Sequence, residues 1–168
     1  MENSKSNRRD FKKPVSDIET RTIDVGKVFK VTKGGRSQSF RALVAAGDKK
    51  GRVGIGFGKA LEARDAIEKA NEDAKRNMVN IPIVNTTVPH EYIGKFNRSR
   101  VLIMPAKEGA GIISGGTSRI IVELSGLKDV LTKSYGSRNK SNTAKATLDG
   151  LVNMRTKEEI LALRGNID

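Results

Sequence analysis

Residues 52–60 read Arg52-Val53-Gly54-Ile55-Gly56-Phe57-Gly58-Lys59-Ala60, and their alternation decides the fold of the first half of the chain. Side chains alternate sides along a strand, so Val53, Ile55 and Phe57 share one face and Gly54, Gly56 and Gly58 the other. A strand face without side chains lets another backbone, of protein or nucleic acid, come close. The strand is expected from Arg52 to Gly58. From Ala60 to Met78 the period becomes helical. Ala63, Ala66, Ile67, Ala70 and Ala74 fall on one side, and Asp65 with Lys69 and Glu72 with Arg76 stand four apart on the other. The alanine stripe reads as core, because a sheet needs a cover, and the Val53/Ile55/Phe57 face is the one the helix is expected to cover. A phosphate-loop reading of Gly54–Lys59 fails, because the alternation is that of an extended strand and Ala60 stands where a Ser or Thr would hold magnesium.

Toward the amino end the chain becomes strongly basic. Residues 27–59 hold nine Lys or Arg against one acid, Asp48, which is +8 of the chain's formal +13. Turns are written at Lys33-Gly34-Gly35-Arg36 and at Gly47-Asp48-Lys49-Lys50-Gly51. One strand is expected before Gly34 and another from about Ser37 to Ala46. Three antiparallel strands and one helix make a small α+β unit whose exposed loop tips carry cations to a polyanion. The expected RNA contacts here are Lys30, Lys33, Gly34, Gly35, Arg36, Arg41, Lys49, Lys50, Arg52 and Lys59. With no Trp and few aromatics, backbone and shape contacts are expected rather than base stacking. Phe40 and Phe57 read as core. Residues 1–20 are polar and of mixed charge, and read as a flexible arm.

Toward the carboxyl end a second α+β unit follows, giving an arm at 1–20, an RNA-binding domain at 21–84 and a further domain at 85–168. Tyr92–Phe96 and Val101–Met104 read as paired strands. A long glycine loop runs from Pro105 to Gly116. Ile120–Leu124 is β-branched and would be strand by propensity, while Gly126 as a cap allows a helix, and periodicity does not choose. Val130–Ser134 reads as strand and Asn142–Asn153 as a helix with Ala144, Leu148 and Leu151 inward. Thr156 with Glu159 forms a capping box for a last helix that stops at Gly165. Lys95, Arg98, Arg100, Lys133, Arg138, Lys140 and Lys145 extend the basic surface and join the expected RNA contacts.

Composition narrows the functional classes. The 168 residues contain no Cys and one His, His90, so cysteine chemistry is absent and a histidine metal cluster or Ser-His-Asp triad within the chain is almost excluded. The longest apolar runs, 42–46 and 101–106, are far too short for a bilayer, and Met1 is followed by charges rather than a secretory core. A reducing, cytoplasmic location suits such a chain. No cofactor, metal, membrane or small-molecule substrate is expected.

The order of these features resembles the small-subunit ribosomal protein S-five family. The resemblance rests on Lys33-Gly34-Gly35-Arg36, Phe40, Gly47-Asp48, Gly51-Arg52-Val53-Gly54, Gly56 and Gly58-Lys59-Ala60. It continues through Pro105, Gly109-Ala110-Gly111-Ile112-Ile113, Gly115-Gly116, Arg119, Lys133-Ser134, Gly136-Ser137, Asn139, Asn142, Asp149-Gly150-Leu151 and Arg164-Gly165. Lys140 departs from the family, which usually has proline after the asparagine. The resemblance implies a double-stranded-RNA-binding-like first domain and a second domain built on a β-α-β unit with a left-handed crossover, against the usual hand. It further implies a non-enzymatic, ribosome-bound protein on small-subunit ribosomal RNA that bridges head and body. Ribosomal proteins S-four and S-eight would be neighbours, with S-three nearby, and the protein would line the path by which messenger RNA enters and influence decoding accuracy. Gly109, Gly111, Gly115, Gly116 and Arg119 would face the S-four-like neighbour.

One alternative comes from a different class. The Gly109–Gly116 loop is similar to the glycine loop of the small-molecule kinases named for galactose, homoserine, mevalonate and phosphomevalonate, whose amino-terminal domain shares the β-α-β arrangement. Those kinases place serines where this chain has Ile112 and Ile113, and need a larger second domain. A loop reused for protein or RNA contact is the preferred reading.

Overall fold

The computed structural model describes residues 18–165, so most of the stretch read as an arm lies outside the described residues. The first domain is an antiparallel sheet of β1 (Glu19–Thr32), β2 (Gly35–Gly47), β3 (Arg52–Ala60) and β4 (Val79–Asn80), in that order, with α1 (Ala63–Arg76) between the last two. A two-residue fourth strand is thus added to the three expected, and β1 begins within the stretch read as arm. β1 and β2 pair from Glu19↔Gly47 to Thr32↔Gly35, with a bulge between Thr22 and Asp24. β3 pairs with β2 only from Phe40↔Ala60 to Gly47↔Val53. Beyond Phe40 the β1–β2 hairpin therefore continues as a free two-stranded ribbon.

The helix covers the face opposite to the one expected. A Cβ on Gly54, Gly56 or Gly58 would collide with the α1 backbone at Ala74, Ala70 and Ala66 respectively. Glycine against alanine brings strand and helix backbones into contact, and Ala42, Val44, Ala66 and Ala70 form the small core between them. Val53 and Ile55 point the other way. With Leu43 and Ala45 they enter a core shared with Val101, Ile103, Ile121, Leu124 and Leu151 of the second domain. Their apolar face is taken by a second domain rather than by the nearest helix.

That second domain contains β5 (Tyr92–Phe96), β6 (Ser99–Pro105), β7 (Ile112–Ile113), α2 (Gly116–Ser125), β8 (Val130–Gly136), α3 (Lys140–Val152) and α4 (Lys157–Arg164). Its sheet runs β5-β6-β8-β7, with β7 parallel to β8 and α2 joining them as a β-α-β unit. The β-branched stretch is helix. Its buried face is Ser118, Ile121, Val122 and Ser125, spaced three, four and seven apart, with Leu124 buried beside it. Two of those four positions are serines, which hid the period. Their hydroxyls are satisfied, Ser118 Oγ by Thr147 Oγ1 at 2.9 Å and Ser125 Oγ by the Val122 carbonyl at 2.7 Å. Gly126, with φ of 92°, ends the helix in the left-handed conformation that glycine favours. On β5, Gly94 admits α3 at Ala146 and Gly150, a second glycine-mediated contact. The capping box of α4 is present, with Thr156 Oγ1 accepting from the Glu159 N–H and Glu159 Oε2 accepting from the Thr156 N–H.

Candidate nucleic-acid interface

The projecting ribbon carries Lys30, Lys33, Gly34, Gly35 and Arg36, all exposed. Gly35 has φ of 141°, and the turn is tied by Thr32 Oγ1 donating to the Gly35 carbonyl at 3.2 Å. Among the described residues, Lys30, Lys33 and Arg36 have no ion-pair partner. Their charge is therefore available to an outside anion. Phe29 and Val31 alternate with Lys30 on the same strand and are 60% and 72% exposed, so the ribbon offers apolar surface on its other face.

The second basic turn is not a free tip, which corrects the expectation of two exposed loops. Gly47, Asp48, Lys49, Lys50 and Gly51 dock on the carboxyl end of α2. The Lys49 N–H donates to the Leu124 carbonyl and the Gly51 N–H to that of Ser125, both at 3.0 Å, satisfying carbonyls that a helix end leaves open. A Cβ on Gly47 or Gly126 would strike the opposite backbone. Asp48 accepts from the Lys50 N–H (2.8 Å), the Arg52 N–H (3.0 Å) and Arg52 Nε (2.7 Å). Burial pushes its carboxyl up, but the Arg52 guanidinium and the two backbone donors together hold it below the usual aspartate value. The side chains of Lys49, Lys50 and Arg52 remain exposed beside this seam, Lys49 paired with Glu19 and Arg52 with Asp48.

Arg41 and Lys59, opposite one another on β2 and β3, face the amino end of α3 with Lys140 across a cleft of about 620 Å³. Lys140 Nζ pairs with Asp24 Oδ1 at 2.7 Å, and Arg41 Nη2 lies 3.9 Å from Asp24 Oδ2. Lys145 Nζ sits 5.0 Å from the Phe57 ring centre and 4.8 Å from that of Phe96, bridging the two domains. Phe57 is 42% exposed and lines the cleft, so its reading as core is corrected, whereas Phe40 packs against the α1 core as expected. The strand pattern placed Phe57 beside Val53 and Ile55. It gave no sign that the second domain meets Phe57 with a lysine and an open cleft rather than with apolar side chains.

The remaining cations form a third group. The ladders Lys95–Arg100–Tyr135 and Ile93–Leu102–Lys133 run across β5, β6 and β8 on the side away from Gly94 and α3. Arg98 lies in the β5–β6 turn and Arg138 just before α3, both exposed.

Residues 18–82 match the family model described as Ribosomal protein S5, N-terminal domain, and residues 94–164 match that described as Ribosomal protein S5, C-terminal domain. The chain belongs to the ribosomal protein S5 family. Membership makes it a structural, ribosomal-RNA-binding constituent of the small subunit, in a family without enzymatic activity. The glycine loop agrees with this and gives the kinase reading no support. The Gly111 N–H, which a nucleotide phosphate would need, donates to Asp129 Oδ1 at 2.9 Å, and Thr86 Oγ1 donates to Asp129 Oδ2 at 2.8 Å. The Gly111 N–H foremost, then the Thr86 hydroxyl, hold the Asp129 carboxyl below its usual value against its burial. An internal carboxylate occupies the place of an anion.

Gly109, Gly111, Gly115 and Gly116 have no atom within 4 Å of where a Cβ would stand. Arg119 already has partners within the chain, Glu123 at 3.2 Å and the Ile112 carbonyl at 3.1 Å. It ends an ion-pair series, Lys49–Glu19–Arg21–Glu123–Arg119, that crosses from the docked turn to α2. Nothing in the sequence pairs Glu19 with Lys49 or Asp129 with the loop, because each contact joins distant segments that only strand pairing within one domain brings together.

Proposed function

We propose that this protein clamps two elements of small-subunit ribosomal RNA, bridging head and body, with the β1–β2 ribbon as the principal RNA contact. The observation that carries this is a projecting ribbon with three unpaired cations on a body whose two domains share one core. The Lys95/Arg100/Lys133 ladder and the Arg41/Lys59/Lys140/Lys145 group supply the further RNA contacts. The open glycine loop and Arg119 face an S-four-like protein, with S-eight and S-three as the other neighbours, and the assembly borders the path of incoming messenger RNA. Loosening of the S-four-like contact is the route by which the protein influences accuracy.

The test uses small-subunit ribosomal RNA and the variant carrying Lys33→Ala with Arg36→Ala. Wild type is expected to bind with a log–log salt slope of about −4 to −5 if roughly six phosphates are neutralised. The double variant should lose affinity and up to about two units of that slope, while its melting temperature stays unchanged, because exposed loop charges contribute under ~0.5 kcal/mol to stability. Unchanged affinity in the variant removes the ribbon from the interface.

A further inference from the structure

We propose that the cleft between the first sheet and the amino end of α3 holds a single unpaired nucleotide of RNA. Its base lies against the Phe57 ring and its phosphate on Arg41, Lys59 and Lys140. The inference rests on the RNA-binding reading above and goes beyond it, because composition alone predicts backbone contacts without stacking.

Three observations converge. The cleft measures about 620 Å³, within the ~300–1,000 Å³ range of small-ligand sites. Phe57 leaves 42% of its surface open at a position where Val53 and Ile55, on the same strand face, are fully committed to the core. An aromatic ring left open beside cations is the arrangement that stacks unpaired bases, since every base presents a π-face and every nucleotide a phosphate. The lining is also electrostatically lopsided, with three cations against one carboxylate, Asp24. Asp24 holds Lys140 at 2.7 Å and Arg41 at 3.9 Å, both across half-exposed, solvent-screened contacts that an arriving phosphate displaces readily. Lys145 Nζ, lodged between the rings of Phe57 and Phe96, takes one face of the Phe57 ring, so the base lies against the other, and it adds positive charge. An acidic peptide would satisfy the cations but would leave the ring without a flat partner. The cleft is made by both domains, so the nucleotide it holds is read only by the assembled two-domain chain.

The experiment uses the full chain with two RNA hairpins that differ by one bulged 2-aminopurine nucleotide. Wild type is expected to bind the bulged hairpin at least about fivefold more tightly than the fully paired one, with the fluorescence of the bulged base quenched on binding. Phe57→Leu keeps an apolar side chain at this exposed position. It should abolish both the preference and the quenching while leaving the paired hairpin's affinity and the melting temperature unchanged. Asp24→Asn should strengthen binding of the bulged hairpin and steepen its salt dependence. Equal affinity for the two hairpins in wild type, or a preference that survives Phe57→Leu, overturns the proposal and leaves the cleft to a protein segment. Failure of wild type to bind either hairpin would instead count against the RNA-binding reading itself.

Discussion

A methyl group at Gly56 has nowhere to go. It would stand against the Ala70 carbonyl and 2.8 Å from the Ala74 Cα, and none of these atoms belongs to a side chain that can rotate away. Gly56→Ala should therefore force α1 off the sheet and destabilise the protein by about 3 kcal/mol or more. Gly34→Ala, where no atom lies within 4 Å, should leave stability near wild type. Urea denaturation of the two variants makes the comparison directly, and equal midpoints would refute the tight helix–strand contact. At this scale the sequence was partly legible. The alternation of glycine with Val53, Ile55 and Phe57 announced a close approach, but not which neighbour made it. Hydrophobic residues attract a cover, and that rule assigned α1 to the wrong side. Alanine and glycine exclude little volume, so two backbones can meet with hardly a side chain between them, and the apolar face stays free for the second domain.

Elements were legible where the period was unbroken. α1 announced itself by its alanine stripe, and α4 by Thr156 and Glu159. α2 was ambiguous, because buried serines interrupt its apolar period and Ile120-Ile121-Val122 favours strand. It is helix because Gly126 can close it and because Ser118 and Ser125 find partners inside. This element also carries the accuracy reading, through Arg119. Arg119→Glu would set a second carboxylate beside Glu123 and break the ion-pair series, so it would disturb both the seam and the outward surface. Arg119→Gln removes the charge without repulsion. Both variants should raise misreading in a codon-misreading reporter, Glu more than Gln, with growth and subunit assembly retained. Normal misreading in both, with normal assembly, would restrict Arg119 to local packing.

For the whole molecule, the shared core is the feature no local pattern foretold. Leu43, Ala45, Val53 and Ile55 meet Ile121, Leu124 and Leu151 across what the chain's composition divided into two units. Ile55→Ala should cost roughly 2–5 kcal/mol as a core truncation. Calorimetry should still show one transition, shifted as a whole, because the larger core is shared between the two domains. Two separated transitions would mean that the domains fold independently. Two carboxylates, Asp48 in the docked turn and Asp129 at the glycine loop, add a pH dependence. Asp48 and Asp129 both ionise more readily in the folded protein than in the unfolded chain, so their stabilisation is complete above the usual aspartate value of 3.8. It is lost as pH falls through their lower folded values. Urea midpoints should hold steady from neutral pH to about 5 and drop below about 4, and Asp48→Asn should lower the neutral midpoint and flatten that drop.

A joint core also changes how binding strengths combine. If the two domains hung on a flexible linker, each would search for its own site, and the second encounter would depend on how often the linker brought it near. Here the core shared by the two domains sets how the base of the ribbon stands to the β5–β6–β8 surface when the chain folds. Capture of RNA by one surface presents the other at a high effective concentration to whatever lies at the matching distance. Contacts that are individually weak then act with avidity, but only on a target whose own geometry matches. A two-domain bracket joined by one core favours RNA already folded to shape and discriminates against strands still searching for it.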